Sequence, residues 1–266
     1  MTWDAAFRLL TQLTSRPLLA RMTGAAAKSR MSRMLLAKFA SFYRIDIAEA
    51  EKPLTEYESL NDFFTRRLRP DARPIDPDEA SLVSPVDGLV VETGEIQAGK
   101  LLPVKGQDYT AEQLLGGSPH ASRYERGTFV VIYLSPSNYH RIHSPVDGTV
   151  LEWDRIPGTV YPVNDRGMRL MPQVLSSNAR LVTYIRHPSG VVGLVKVGAM
   201  NVSSIQYARQ EGPPESVRKG EELAFFEFGS TVVLLLEKHM FTPDAWLRAG
   251  APVRMGQRIG TLKNLE

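Results

Sequence analysis

The chain has 266 residues, 43% hydrophobic and 23% charged, with 32 Lys+Arg against 29 Asp+Glu and no Cys. That length suits one large domain, or a core plus an appendage, and is ample for folding without a disulfide or metal staple. The lack of Cys excludes a disulfide framework, a Cys-ligated cluster or zinc, and a thiol nucleophile; 20 Gly and 18 Pro argue against an all-helical bundle.

Charge is uneven along the chain. Residues 1–44 hold eight basic residues and a single acid, Asp4, so this segment carries +7 and the remainder −4. A basic arm on a mildly acidic body points to an anionic surface as partner, phospholipid before nucleic acid, for which no binding motif is present. Helical apolar spacing runs through Ala6, Leu9, Leu10 and Leu13, and again through Met31, Met34, Leu35 and Phe39, with Phe42 close by. Basic residues fall between these positions, the pattern of amphipathic helices lying in a membrane interface, with Trp3 as a candidate anchor. The alternative is an arm packed on the body with a solvated basic face. No run is long enough to span a bilayer, and the early charges argue against a secretory signal.

The arm, residues 1–45, is followed by a connector at 46–80. In the connector Leu60-Asn61-Asp62-Phe63-Phe64-Thr65-Arg66-Arg67-Leu68 reads as a short helix or turn, and Pro70, Pro74 and Pro77 oppose regular structure. Residues 81–266 form a β-rich body, with strand-type runs at 89–91, 128–134, 149–151, 181–185, 191–197 and 231–236. The fold class expected is α+β, mainly β. Ser84-Pro85-Val86-Asp87-Gly88 recurs as Ser144-Pro145-Val146-Asp147-Gly148, and more weakly Val217-Arg218-Lys219-Gly220 recurs as Val253-Arg254-Met255-Gly256. Asp-Gly is a tight-turn signal, so two similar facing hairpins are expected, as in barrel-sandwich carrier domains. The plain reading of Asp87 and Asp147 is that they only form turns.

Three features carry chemistry. Tyr139-His140-Arg141-Ile142-His143 precedes the second repeat; in an extended strand its two histidines point apart, and in a turn both reach one pocket. Imidazole is the natural acid/base near neutral pH. His-x-x-His lacks a third ligand at a recognisable spacing, so no metal is expected. Gly229-Ser230-Thr231 precedes an apolar strand and is not a Gly-x-Ser-x-Gly elbow. Asp87 completes the parts of an activated hydroxyl nucleophile, although such residues occur in any protein.

The combination resembles the phosphatidylserine decarboxylases, pyruvoyl-dependent membrane enzymes. The resemblance is carried, in order, by the segment from Leu60 through Arg73-Pro74-Ile75, by Ser84-Pro85-Val86-Asp87-Gly88, by Tyr139-His140-Arg141-Ile142-His143, and by Phe228-Gly229-Ser230-Thr231. Many members have Leu where this chain has Phe228. The resemblance implies self-cleavage between Gly229 and Ser230 into chains 1–229 and 230–266, with Asp87 orienting His143 and His143 taking the Ser230 proton. Ser230 becomes a pyruvoyl group that forms a Schiff base with phosphatidylserine, releasing CO2 and phosphatidylethanolamine without PLP or metal. His140 is the candidate proton donor, although His143 is an alternative. Arg66, Arg67 and Arg141 are candidates for the lipid phosphate or for plain salt bridges. A homodimer on the cytoplasmic side of the membrane is implied. His120, His187 and His239 are read as surface or turn residues. Two other readings compete: a non-enzymatic barrel-sandwich carrier, and a membrane-associated serine hydrolase with Ser230 left intact.

Overall fold

Fourteen β-strands arranged in three antiparallel sheets organise the computed structural model, which describes residues 24–98, 100, 103–199, 205–227 and 230–263. The first half of the arm, including Trp3 and the apolar run from Ala6 to Leu13, lies outside the described residues, as do Phe228 and Gly229.

Residues 24–28 are helical, and a 3-10 turn at Arg30–Leu35 leads into α1, Leu36–Phe42. After α2, Leu60–Phe64, come β1, Ser81–Val83, and β2, Gly88–Glu95, and then α3, Ala111–Leu114. The chain continues through β3, Thr128–Leu134, β4, Arg141–His143, and β5, Gly148–Ile156, to two short helices, α4, Asp165–Leu170, and α5, Val174–Ser177. The rest is strand: β6 Arg180–His187, β7 Gly190–Gly198, β8 Ile205–Tyr207, β9 Ser216–Val217, β10 Glu222–Phe226, β11 Ser230–Leu236, β12 Phe241–Pro243, β13 Pro252–Val253 and β14 Arg258–Leu262. The main sheet is open, in the order β13-β2-β3-β11-β7-β6-β5-β9; the smaller ones are β1-β14-β12 and β4-β10-β8. The fold is thus mixed α+β and mainly β, without a closed barrel among the described residues.

Every expected strand run lies within a strand. The most apolar of them, β11, is buried along its whole length between β3 and β7. A strand buried on both faces loses the polar alternation of a half-exposed one. Its core partners include Phe129, Val131, Leu194 and Val195.

The repeats form a pseudo-symmetric pair. Val83 N donates to Pro145 O, and His143 N donates to Pro85 O. The Oδ1 of Asp87 accepts from Met255 N, and that of Asp147 accepts from Lys219 N, so each aspartate holds the second repeat's turn. Gly88 and Gly148 are demanded by close approach: a Cβ would lie 2.5 Å from Tyr133 O in one case and 2.4 Å from Arg186 O in the other. Ile75 of the connector packs against both Gly220 and Gly256.

The second half of the arm departs from the expected stripe. Leu36 and Ala40 face inward with Ile45, Tyr57 and Phe63 as a small second core, and Phe39 packs on it. Met31, Met34 and Phe42 are 75–79% exposed and Leu35 is 51% exposed. The inward face is set by α2, whose Phe64 meets the Phe39 ring edge-on, whereas the exposed Phe42 meets only its neighbour Tyr43 among the aromatic contacts of the described residues.

Candidate active site

Ser230 opens β11, paired with Leu134 on one side and Gly198 on the other. Its side chain is fully buried, and Oγ lies 3.5 Å from His140 Nδ1. Thr231 turns to the opposite face of the sheet, where it lines an apolar pocket of about 240 Å³ with Leu89, Val131 and Tyr133.

His140 stands just before β4, where its carbonyl accepts from Phe226 N at the end of β10. Its Nε2 lies 2.9 Å from Ser135 O and therefore carries the proton. Nδ1 is left as the bare lone pair facing Ser230. Burial, reinforced by the charge of Arg66, pushes the His140 pKa down to about 3, so the ring is neutral at pH 7.

The short helix α2 shapes this environment. Ser59 caps it by accepting from Asp62 N, and its apolar end buries Phe63 and Phe64. Phe64 stacks on His140 with 4.0 Å between ring centroids. Arg141 Nε donates to Thr65 O, and its guanidinium pairs with Glu222. Arg67 reaches the same Glu222 at 3.4 Å. Arg66 is buried over the Phe63 ring, its Nη2 near Ser137 O and Asn138 O.

His143 points the other way, as the strand alternation required. Its Nδ1 donates to Gly220 O at 2.8 Å, and Nε2 accepts from the Tyr139 hydroxyl at 3.0 Å. Burial lowers its pKa, while the Gly220 carbonyl opposes that shift. Asp87 makes no hydrogen bond to His143. It is held instead by Arg73, whose Nε and Nη2 reach it at 2.9 and 2.6 Å and whose Nη2 also reaches Glu49. Burial alone would depress Arg73, but these two carboxylates outweigh it and hold its pKa above the usual range.

The structure therefore brings Ser230 and His140 together, and sets Asp87 and His143 each with other partners. Gly229 lies outside the described residues. Arg67 and Arg141 are committed to Glu222, and Arg66 is not. Sequence reasoning did not single out Phe64, Arg73, Tyr139 or Glu222 as site residues; Phe64, Arg73 and Tyr139 sit inside the quoted motifs, and Glu222 sits in the weaker repeat, which runs on from Val217 to Leu223. His120 bonds Glu152 and stacks on Tyr184, and His239 occupies an exposed turn at φ 66°. No group of three metal-ligating side chains occurs among the described residues.

Comparison with known proteins follows the same residues. The sequence model of the family described as Phosphatidylserine decarboxylase matches residues 60–261. A phosphatidylserine decarboxylase proenzyme of Bacillus thuringiensis is 42% identical over 255 residues, covering 96% of each chain. Proenzymes of the same name from two Bacillus cereus strains match to the same extent.

Proposed function

The chain belongs to the phosphatidylserine decarboxylase family, and on that premise we propose that its reaction centre is built at Ser230 by self-cleavage. The protein is a carboxy-lyase that converts phosphatidylserine to phosphatidylethanolamine and CO2. The observation that carries the reading is the buried Ser230 hydroxyl facing the lone pair of a neutral imidazole at the start of the central strand.

In self-cleavage the Ser230 hydroxyl adds to the Gly229 carbonyl, and the peptide becomes an ester. Loss of the Ser230 α-proton then breaks the Cβ–Oγ bond and releases Gly229 as a carboxylate. The dehydroalanine left behind takes up water and loses ammonia to give a pyruvoyl group. Residue 230 suits such a group: it is buried, flanked by Leu134 and Gly198, and held in place by strand pairing on both sides. The ketone supplies the electron sink that an amino acid needs in order to lose CO2. No metal is required.

Asp87, His143 and Ser230 are the self-cleavage set by resemblance, although His143 here bonds Tyr139 and Gly220 and Asp87 bonds Arg73. A second reading is favoured by the 3.5 Å contact, in which His140 itself takes the Ser230 proton. For decarboxylation we assign proton delivery to His140. A substrate anion beside it would offset Arg66, the smaller of the two causes that lower its pKa, and so favour the protonated ring.

Residues 1–45 are the proposed membrane-binding arm, 46–80 the connector and 81–266 the catalytic body. Exposed Met31, Met34, Leu35 and Phe42 lie among exposed Arg30, Arg33 and Lys38, a surface suited to anionic lipid on the cytoplasmic side. No helix among the described residues is long and apolar enough to cross a membrane. The paired hairpins, with reciprocal bonds through Pro85 and Pro145, support a barrel-sandwich-like body. A homodimer is the expected assembly, and native mass would test it.

Intact-mass spectrometry of the wild type and Ser230→Ala tests the reading. Chains 1–229 and 230–266, the latter blocked by pyruvoyl, are expected from the wild type alone. An unbroken wild-type chain in fresh, lipid-containing preparations would sink it.

A further inference from the structure

Two arginines of this protein are buried to nearly the same degree, Arg66 at 4% exposure and Arg180 at 5%. Every guanidinium nitrogen of Arg180 has an acceptor. Its Nε donates to Leu114 O, Nη1 to Ser176 O and Asn178 O, and Nη2 to Gln113 O. In Arg66 only Nη2 finds acceptors, Ser137 O at 3.2 Å and Asn138 O at 3.4 Å, while Nε and Nη1 are buried without a partner.

A buried guanidinium with open donors is a costly arrangement unless something fills it. No carboxylate hydrogen-bonds to it among the described residues. Asp87 and Glu49 stabilise its charge only from a distance, and both bond Arg73. Three N–H groups stay unused, one on Nε and two on Nη1, and an oxyanion is the group that a guanidinium binds best. Arg66 holds the Ser137 and Asn138 carbonyls, in the same turn whose Ser135 carbonyl holds His140, and His140 touches Ser230.

If Ser230 is the reaction centre, the chemistry there offers a carboxylate from two sources. The serine headgroup carries one on the same carbon as the amine that reacts, whereas its phosphodiester is further out along the headgroup. Self-cleavage creates the other, as the new C-terminus at Gly229. We propose that Arg66 is the carboxylate receptor of this reaction centre. The proposal rests on the Ser230 reading and goes beyond it by separating Arg66 from Arg67 and Arg141, which Glu222 already occupies.

The test uses the full chain in detergent micelles containing phosphatidylserine, as wild type, Arg66→Gln and Arg66→Lys, each also in a Ser230→Ala precursor background. Intact mass reports cleavage, kinetics report KM and kcat, and thermal melting reports stability. If the substrate carboxylate is the ligand, Arg66→Gln is cleaved but its KM rises at least tenfold. Arg66→Lys, which keeps the charge, recovers part of that loss. If the Gly229 carboxylate is the ligand, KM stays put and Arg66→Gln lowers the melting temperature of the cleaved form more than that of the precursor. An unchanged KM with equal melting shifts in both forms overturns the proposal and leaves Arg66 a packing residue. Should Arg66→Gln fail to fold, Arg66→Lys carries the same comparison, because it loses the planar fork. Failure of the wild type to cleave would strike the Ser230 reading instead, and is scored separately.

Discussion

The ring of Phe64 lies on the imidazole of His140, 4.0 Å between centroids and 30° from parallel. One motif of the connector thus packs against the key residue of another, 76 positions later. The stack keeps water off the ring and fixes its plane, so the lone pair at Nδ1 stays directed at Ser230. Phe64→Leu keeps most of the buried volume and should cost about 1 kcal/mol of stability. Self-cleavage and turnover should slow by tenfold or more, which a time course of chain separation and CO2 release would measure. Kinetics that fell only in step with stability would assign Phe64 to packing alone.

The depressed His140 pKa makes stability depend on pH. Between about 3 in the folded protein and 6.5 in the unfolded chain, the unfolded state binds more protons. Stability is therefore complete above pH 6.5 and falls as pH drops through this window, by a total on the order of a few kcal/mol. Denaturant melts from pH 7 to pH 4 should show that slope, and His140→Phe should flatten it.

Lys196 stands in the core on β7, fully buried, with Nζ bonded to Thr183 Oγ1 at 2.7 Å and to Leu194 O at 3.2 Å. Burial drives its pKa well below the usual lysine value. Burial penalises the charged form of the amine, and that cost to folding shrinks as pH rises toward 10.5. Lys196→Met should raise stability at pH 7 on the order of 1 kcal/mol or more, with the gain fading by pH 10. Thr183 keeps its bond to the Tyr207 hydroxyl in either case. A melting temperature that fell at pH 7 would contradict this.

Arg73 is buried between Asp87 and Glu49. Removing one member of such a pair costs about 3–5 kcal/mol, because the other charge is stranded. Arg73→Met should therefore destabilise the fold strongly, and adding Asp87→Asn should recover part of the loss. If the recovered double variant still fails to cleave, Asp87 acts in the chemistry; if it cleaves, Asp87 serves the ion pair.

Lys28 forms a 2.7 Å ion pair with Glu227, three residues before Ser230. The lysine is half exposed, so Lys28→Gln should change stability by only about 0.5 kcal/mol. Stimulation of turnover by anionic vesicles should weaken, since this contact joins the arm to the cleavage segment. Equal stimulation in both proteins would show that the contact is incidental.

The sequence alone determined the six longest strands and the Asp-Gly turns, and left the short strands β1, β4, β8 to β10 and β12 to β14 unannounced. Strand propensity, apolar runs and Asp-Gly signals are local, and β3, β6, β7 and β11 form where they occur. The repeated Ser-Pro-Val-Asp-Gly also announced a pair, although which second repeat served which turn became visible only from Asp87 with Met255 and Asp147 with Lys219. The motifs named candidate reacting residues but not their partners. Asp87 meets Arg73 rather than His143, and Ser230 meets His140, because partnership depends on how β4, β10 and α2 stack across the main sheet. Sequence left open whether His140 and His143 point apart, as in a strand, or converge, as in a turn; only packing decided that, and which of them reached Ser230. The same holds for the three arginines, alike in sequence, of which Glu222 takes two and leaves Arg66 with open donors. Contacts between residues far apart in the chain follow from the summed packing of all three sheets, and no local pattern encodes that sum.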